Sequence, residues 1–274
     1  MLIGIGHNAI NVLDMEKSLD FYVNAVGFQR AFELPLEGRP WIVYLKIGPG
    51  AFLELFYGGV KDRDQNYAAD LIGYHHWGIA CTNLPALRDR LFKKGCIPQE
   101  TVPDKTSGGG YKLWIHDPDG NALELVQPKP TEAYGGRDEL LGIHHIGLVC
   151  HDVAKSVDFY CNKLGLEEIG GVEQDGHKGI TALKVREGQC YKLFAPQGGE
   201  RTRPNTWQSY GSSHVSLQVD NVEETVEKLR GKGVTIDIEP KTAQDKNTQA
   251  WIHDPDGNRV ELMYIHPESP QATH

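Results

Sequence analysis

The sequence lacks a long apolar run, a surplus of basic residues and any closely spaced pair of cysteines. No stretch of 18 apolar residues occurs and no basic or apolar leader precedes the first strand, so we expect a cytoplasmic protein without a targeting or membrane-spanning segment. The net charge of −9 argues against a nucleic-acid partner, because phosphate binding needs a concentrated basic surface. The five cysteines form no CxxC pair, which predicts reduced thiols in a reducing compartment. A small organic molecule is the expected partner.

The length predicts two domains rather than one large core. A chain of 274 residues exceeds the usual size of a single domain, and its 39% hydrophobic and 24% charged residues are ordinary for a globular protein. The segment 129–140 is rich in Pro, Gly and charge, so we predict that it is a linker between a first domain, 1–128, and a second, 141–266. We expect the tail, 267–274, to be frayed.

One pattern occurs four times and accounts for nearly the whole chain. A strand that contains a histidine is followed, 47 or 48 residues later, by a strand with a charged residue before leucine. The histidines are His7, His76, His145 and His214, and the charged residues that follow them are Glu54, Glu124, Lys192 and Glu261. Four copies of one supersecondary unit are therefore predicted, over 1–58, 73–127, 141–196 and 211–265.

Each copy is predicted to be a β-α-β-β-β unit. In the first, period-two alternation predicts a strand over 4–12, Asp14 caps a helix over 15–26 that ends at Gly27, and three short strands follow. The second unit has the same order, with a strand expected near 97–102. The last two strands of the second and fourth units are joined by identical HDPDGN turns, at 116–121 and 253–258.

This tandem resembles the vicinal oxygen chelate superfamily, which includes glyoxalase I, extradiol dioxygenases and bleomycin-resistance proteins. The resemblance depends on the SLDFY and SVDFY helices, the DPDGN turns and the Glu-Leu strands. It implies an α+β fold in which two units pair into an open cup of β-strands that holds a divalent metal ion. We adopt pairing within each half, and pairing across the halves or between the chains of a homodimer stays open.

In the first half, His7, Glu54, His76 and Glu124 are the cup-facing positions. Two imidazoles and two carboxylates suit a divalent ion such as Ni, Co, Zn, Mn or Fe. The set resembles the ligand quartet of glyoxalase I. That resemblance implies that the metal polarises a carbonyl and stabilises an enediolate, while Glu124 or Glu54 moves the proton.

In the second half, His145, His214 and Glu261 form a possible second metal site, but Lys192 replaces the fourth ligand. An ammonium cannot ligate a metal, so three readings stay open. Lys192 pairs with Glu261 in place of a metal, or the three remaining residues form an open iron site, or the lysine binds a phosphate or carboxylate of a substrate. If units pair across the halves, His7 and Glu54 would instead join His214 and Glu261.

Three functions follow as hypotheses. The first is a metal-dependent lyase, isomerase or epimerase that moves a proton next to a carbonyl. The second is an Fe(II) dioxygenase that acts on an aromatic diol at the C-terminal triad. The sequence departs from the signature of extradiol dioxygenases, because 241–250 contains no His and position 251 is Trp, and this departure weakens the second hypothesis. The third is a drug- or metabolite-binding protein that needs no metal. His75 and His144, which precede two of the ligand histidines, are expected to face away from the cup.

Overall fold

Unit one shows how the sequence forms the repeat in the computed structural model, which describes residues 1–62, 68–106, 109–174, 177–202 and 206–274. The Asp14 side chain accepts a hydrogen bond from the Lys17 backbone N–H at 3.1 Å and so caps the first helix. That helix widens into π-helical turns and ends at Gly27, whose φ of 102° suits glycine. The elements are β1 (Leu2–Asn11), α1 (Met15–Leu19, with π turns over Asp20–Val26), β2 (Gln29–Leu36), β3 (Arg39–Gly48) and β4 (Ala51–Phe56).

Unit two repeats this order with one departure. Its elements are β5 (Leu71–Cys81), α2 (Leu84–Lys93), β6 (Asp104–Lys105), β7 (Tyr111–His116) and β8 (Ala122–Gln127). The strand predicted near 97–102 is wrong, since only Asp104 and Lys105 pair with β7. Pro98 lies within the predicted segment and Pro103 follows it, and proline has no N–H to donate to a neighbouring strand.

Units three and four follow the same plan. Unit three contains β9 (Leu140–Val149), α3 (Val153–Val157, with π turns over Asp158–Lys163), β10 (Glu167–Gln174), β11 (His177–Arg186) and β12 (Gln189–Phe194). The short strand β13 (Arg201–Thr202) precedes unit four, which contains β14 (Gly211–Val219), α4 (Val222–Gly231), β15 (Ile236–Thr242), β16 (Thr248–His253) and β17 (Arg259–Tyr264). The predicted α+β fold with four β-α-β-β-β units is confirmed.

The units pair across the two halves of the chain. Units one and four form one sheet, in the order β15-β16-β17-β14-β1-β4-β3-β2, and β1 runs antiparallel to β14. Units three and two form the other sheet, in the order β10-β11-β12-β9-β5-β8-β7-β6, with β13 beside β5. This corrects the pairing within halves. The spans 1–128 and 141–266 each contribute one unit to each sheet.

The segment 129–140 explains the correction, because it joins two units of one sheet. It contains a 3₁₀ turn, Thr131–Tyr134, and its end is fixed to the end of β5. The Thr82 hydroxyl donates to the carbonyl of Arg137 at 2.6 Å, and the Thr82 backbone N–H donates to the carbonyl of Glu139 at 3.0 Å. The chain therefore enters β9 directly alongside β5, and the Pro, Gly and charged residues connect two units of the same sheet.

Consecutive units still contact each other, through their helices. The hydroxyl of Tyr22, in the SLDFY helix, donates to Asp117 in the first HDPDGN turn at 2.7 Å. The hydroxyl of Tyr160, in the SVDFY helix, donates to Asp254 in the second turn at 3.0 Å. The two motifs therefore fix unit one to unit two and unit three to unit four, while each sheet joins units from opposite halves.

The helix-covered faces of both sheets contribute to one apolar core. Its fully buried members include Ile10, Leu53, Leu125 and Leu217. Between the sheets, the Gln189 side chain accepts from the backbone N–H of Ile5 at 2.8 Å and donates to the carbonyl of Ile143 at 3.1 Å. The other face of each sheet is left to form a cup, and the candidate ligands lie there.

The tail is ordered, contrary to the expectation that it is frayed. Helix α5 (Pro270–Thr273) is capped by Ser269, whose hydroxyl accepts from the Ala272 N–H at 3.2 Å. Gln271 is buried and accepts a hydrogen bond from the Asn247 side chain. Burial and these bonds supply the stability that the polar sequence alone does not suggest. In the part of the chain that the structure describes, no helix combines the length and apolar character needed to cross a membrane.

Candidate metal centre

A β-bulge precedes each of the four histidines. In the first sheet the register shifts at Gly6 and Ser213, and in the second sheet it shifts at His75 and His144. A bulge adds one residue to a strand and re-aims its side chains, so two consecutive side chains can point towards the same cup. Strict alternation, on which the sequence prediction relied, fails at these positions.

Because of the bulges, three of the four preceding residues contact the next histidine ring. His75 Nδ1 lies 2.8 Å from Nδ1 of His76, and the same distance separates Nδ1 of His144 from that of the following histidine. Ser213 Oγ lies 3.2 Å from His214 Nδ1. The prediction that His75 and His144 face away is therefore wrong, since both line the cavity of the second sheet. The sequence contains a signal for these contacts, because in three of the four units the residue immediately before the histidine is polar.

Site A, in the first sheet, consists of His7, Glu54, His214 and Glu261. His7 Nε2 lies 2.9 Å from Oε2 of Glu261, 3.4 Å from Oε1 of Glu54 and 3.2 Å from Nε2 of His214. His214 Nε2 lies 3.5 Å from Oε2 of Glu54. All four side chains are buried, with relative exposures of 1–3%. Ligand atoms of His7, Glu54 and His214 lie within 4.8 Å of one another at the floor of a cavity, and Glu261 joins this group through its contact with His7.

The cavity over site A has a volume of about 460 Å³, and aromatic side chains stand on the strands beside its ligand residues, with polar residues on another side. Tyr44 stands opposite Glu54 on the neighbouring strand and donates a hydrogen bond to it. Trp251 stands opposite Glu261 and packs edge-on against His214, with 4.6 Å between ring centroids. These two aromatic residues therefore hold the ligand side chains of Glu54 and His214 in place.

The electrostatics of site A favour a bound cation. Burial opposes protonation of His7, but the charges of Glu54 and Glu261 outweigh it and raise the histidine pKa above its ordinary value. Burial also opposes ionisation of Glu54, yet His7, His214 and Tyr44 together lower its pKa. Two buried carboxylates beside each other cost free energy unless a positive charge neutralises them.

Unsatisfied atoms indicate the same fit. Among the described residues, His7 Nδ1 and Glu261 Oε2 are buried without a hydrogen-bond partner, and the Glu261 oxygen meets His7 only as an ion-pair contact. A set of two nitrogen and two oxygen donors with waters in the remaining positions suits a borderline divalent ion. The residues of site A therefore fit such an ion.

Site B, in the second sheet, consists of His76, Glu124, His145 and Lys192. His145 Nε2 lies 3.0 Å from Oε2 of Glu124 and 3.1 Å from Nε2 of His76. Lys192 Nζ lies 2.7 Å from the same glutamate oxygen. The prediction that Lys192 pairs with Glu261 is therefore wrong, because Glu261 belongs to the other sheet and Glu124 is the partner.

The charges of site B are already balanced. Burial lowers the pKa of His145 to about 4 and that of His76 well below its ordinary value, so both rings are neutral at pH 7. Burial opposes ionisation of Glu124, but His145 and Lys192 hold its pKa below the usual range. One carboxylate and one ammonium thus face each other where site A has two carboxylates.

The structure regroups the residues that the sequence predicted as sites. His7 and Glu54 lie in the first sheet, whereas His76 and Glu124 lie in the second, so the predicted first-half quartet is not assembled. Nor is the possible second site of His145, His214 and Glu261, because His145 lies on β9 of the second sheet and the other two lie on β14 and β17 of the first. The grouping that follows from pairing across the halves is the one observed.

Comparisons with known proteins agree with this architecture. The chain is 26% identical over 272 residues to lactoylglutathione lyase GLX1 of Arabidopsis thaliana. The aligned region covers 94% of this chain and 90% of that protein. It is 21% identical over 262 residues to catechol-2,3-dioxygenase of Bacillus subtilis (strain 168), with 80% and 84% covered. The crystal structure of glyoxalase I from Zea mays, 20% identical, superposes with a TM-score of 0.72 over 95% of this chain and 92% of that one, which shows the fold.

Relatives that are named as enzymes and match most of the chain support an enzyme that acts on a small molecule. The predicted resemblance is confirmed at the level of the family. Residues 4–125 and 142–262 both match one family description, so each half carries the repeat that the sequence pattern revealed. The chain belongs to the Glyoxalase/Bleomycin resistance protein/Dioxygenase superfamily.

Proposed function

We propose that the protein is a divalent-metal-dependent lyase or isomerase that moves a proton next to a carbonyl of a small organic substrate at site A. The observation that carries the proposal is the complete set of two imidazoles and two carboxylates at the floor of that cavity. His7, Glu54, His214 and Glu261 would hold the ion, which is one of Ni, Co, Zn, Mn or Fe. When bound, the ion supplies Lewis-acid polarisation of a substrate carbonyl, which acidifies the adjacent C–H.

Of the two carboxylates, Glu261 is the better base. Glu54 receives a hydrogen bond from Tyr44 and lies beside both histidines, so its position is fixed from three directions. Glu261 Oε2 forms an ion-pair contact with Nε2 of one histidine, His7, at 2.9 Å, so fewer interactions hold this carboxylate and we assign it the transfer of the proton. This assignment replaces Glu124 and Glu54 as the expected bases. Glu124 lies in site B, where Lys192 and His145 engage it.

The walls of the cavity suit an apolar or aromatic substrate body. Trp41, Phe56 and Trp207 line it together with Trp251, and Lys241 lies at its exposed mouth. Apolar walls exclude water and strengthen the interaction between the ligand charges and the reacting carbonyl. Site A takes all four ligands from one chain, so the homodimer considered from the sequence is not required to complete it.

The test is proton exchange followed by NMR in D₂O. The metal-loaded protein is mixed with the hemithioacetal of methylglyoxal and glutathione, and with a panel of small α-hydroxy ketones. We expect metal-dependent conversion or deuterium incorporation at the carbon next to the carbonyl, reduced by about 10²–10⁴-fold in Glu261→Gln, as is typical for loss of a general base. Glu124→Gln is the matched control and retains activity. Conversion that survives both chelation and Glu261→Gln would contradict the proposal.

The dioxygenase and the metal-free binding protein are alternatives that two further measurements distinguish. Similarity to a catechol-2,3-dioxygenase supports the former, but its predicted triad of His145, His214 and Glu261 is divided between two sheets. Oxygen uptake with catechols after anaerobic addition of Fe(II) would indicate a dioxygenase. Undiminished ligand binding after exhaustive chelation would indicate a binding protein.

A further inference from the structure

We propose that site B binds a small organic monocarboxylate, with Lys192 as the anchoring cation and an adjacent apolar cavity for the body of the ligand. This inference is independent of the reaction proposed for site A, because the two sites lie in different sheets and share no residue. It rests on the charge balance of site B, on the space beside Lys192 and on the walls of the cavity.

Site B carries its own cation where site A needs one from outside. Lys192 Nζ occupies the position next to Glu124 Oε2, at 2.7 Å, and the same oxygen faces His145. A divalent ion at this point would meet the ammonium at close range, and the resulting repulsion would oppose binding. The three donors His76, Glu124 and His145 therefore form an ion-paired floor rather than a second metal centre.

Space opens beside Lys192 because one wall residue is small. In each unit, one residue of the third strand stands opposite the charged residue of the fourth strand. At the other three positions this residue is aromatic, but opposite Lys192 it is Ala182. Gly170 and Gly171 of β10 line the same side. The cavity consequently reaches about 590 Å³, against about 460 Å³ over site A, and both volumes are typical of small-molecule sites.

The groups that line this cavity define the class of ligand. The Lys192 side chain is 23% exposed, and among the described residues its ammonium has Glu124 as its hydrogen-bond partner, which leaves donors for a second acceptor. Lys112 adds another positive charge at the cavity. The two ammonium groups and one carboxylate give a net charge of +1, which matches a monoanion.

Most of the remaining wall is apolar and matches the body of such a ligand, while His75, His144 and Thr106 add polar groups. Trp114, Val126, Ile169, Ile180 and Phe194 line the cavity. Burial of an apolar group against them contributes free energy in proportion to the area removed from water. An aryl or alkyl monocarboxylate matches both the charged and the apolar parts of the cavity, with its carboxylate on Lys192 and its apolar body against Trp114 and Phe194.

Calorimetry of the full-length protein tests this proposal with acetate, phenylacetate and 1-naphthylacetate, each beside its amide. We expect affinity to rise with the size of the apolar body, and each amide to bind at least about tenfold more weakly because it lacks the charge-assisted hydrogen bond. Lys192→Gln should lose about tenfold or more of the affinity for the acids, whereas Lys192→Arg retains most of it. Lys93→Gln, on the exposed side of helix α2, is the matched control and leaves the affinity unchanged.

Four results would overturn the proposal. Equal binding of acids and amides would remove the role of the charge, and unchanged binding in Lys192→Gln would place the ligand elsewhere. Absence of binding by every acid up to millimolar concentration would remove the site itself. Phenyl phosphate that binds more tightly than the carboxylates would contradict a monocarboxylate. Circular dichroism and the Tm of Lys192→Gln show whether the variant folds, and Lys192→Arg keeps the test informative if it does not.

Discussion

Sites A and B are built on the same scaffold from equivalent strands, yet they have opposite electrostatic requirements. Each takes two histidines from antiparallel first strands and two charged residues from fourth strands. Site A has two carboxylates and lacks a counter-charge, whereas Lys192 gives site B an internal one. We infer from this difference that the residue at this one strand position favours a cation in one cup and an anion in the other. The fold itself permits both.

The largest expected effect comes from removing that difference. Lys192→Glu supplies a second carboxylate and thereby the fourth ligand of site B, so we expect the number of tightly bound divalent ions per chain to rise from one to two. The measurement is elemental analysis after gel filtration in the presence of Zn²⁺ or Ni²⁺. Lys192→Gln, which removes the ammonium without adding a ligand, is the control and should stay at one. A value of one in Lys192→Glu would show that more than this position separates the sites.

The pH dependence of metal binding distinguishes the histidines of the two sites. The pKa of His7 is raised, so this ring is still protonated at pH values where an ordinary histidine has become neutral, and a metal must displace that proton. Affinity at site A should fall as the pH drops through the raised pKa, by about tenfold per pH unit below it.

Calorimetry in buffers of different ionisation enthalpy measures this proton release. At site B of Lys192→Glu, the counterpart His145 has a lowered pKa of about 4 in the unsubstituted protein, and the added carboxylate would raise it. Comparison of the two pH profiles therefore sharpens the contrast between the sites. A site A affinity that is flat between pH 5 and pH 8 would contradict the charge assignment.

Backbone packing also differs between the sites. Gly147 faces the His76 ring across the strand pair, and a methyl group on Gly147 would lie 2.2 Å from that ring. Gly147→Ala should lower the free energy of unfolding by about 1–3 kcal/mol, the usual effect of overpacking. The control Gly231→Ala lies in helix α4 with no atom within 4 Å of the added carbon and should be neutral or stabilising. Urea denaturation of both variants measures the difference.

The smallest effect is expected from the aromatic wall of site A. Tyr44→Phe removes the hydrogen bond to Glu54, which contributes about 0.5–1.5 kcal/mol, so metal affinity should fall by up to about tenfold. The hydroxyl of Tyr191 is also buried but has no hydrogen-bond partner among the described residues. Tyr191→Phe should therefore leave metal affinity unchanged. Equal effects of the two substitutions would indicate that Tyr44 acts through general packing.

The sequence predicted the units because their patterns are local. Period-two strands, the Asp14 cap and the DPDGN turns are each set by neighbouring residues, and the eight inward positions follow from the repeat. Pairing of the units is not local, since His7 can meet either His76 or His214 without any change in the spacing of the pattern. The fixed connection of Thr82 to Glu139 decides between them, and only the structure reveals it.

The finer features of the two sites depend on departures from regular structure. His75 and His144 enter the second cup through bulges, which alternation cannot predict. The role of Lys192 depends on which glutamate faces it, and that follows from the pairing. The C-terminal tail is ordered by its contact with Asn247, which lies far from it in sequence. In each case a long-range contact overrides the local pattern.

The most direct test of this account is the metal content of two histidine variants, measured by elemental analysis beside the wild type. Site A alone is expected to bind the ion, so the wild type should hold one divalent ion per chain. His214→Ala should lose it, and His76→Ala should keep it. An ion that is lost in His76→Ala and kept in His214→Ala would contradict the assignment of the metal to the sheet formed by units one and four.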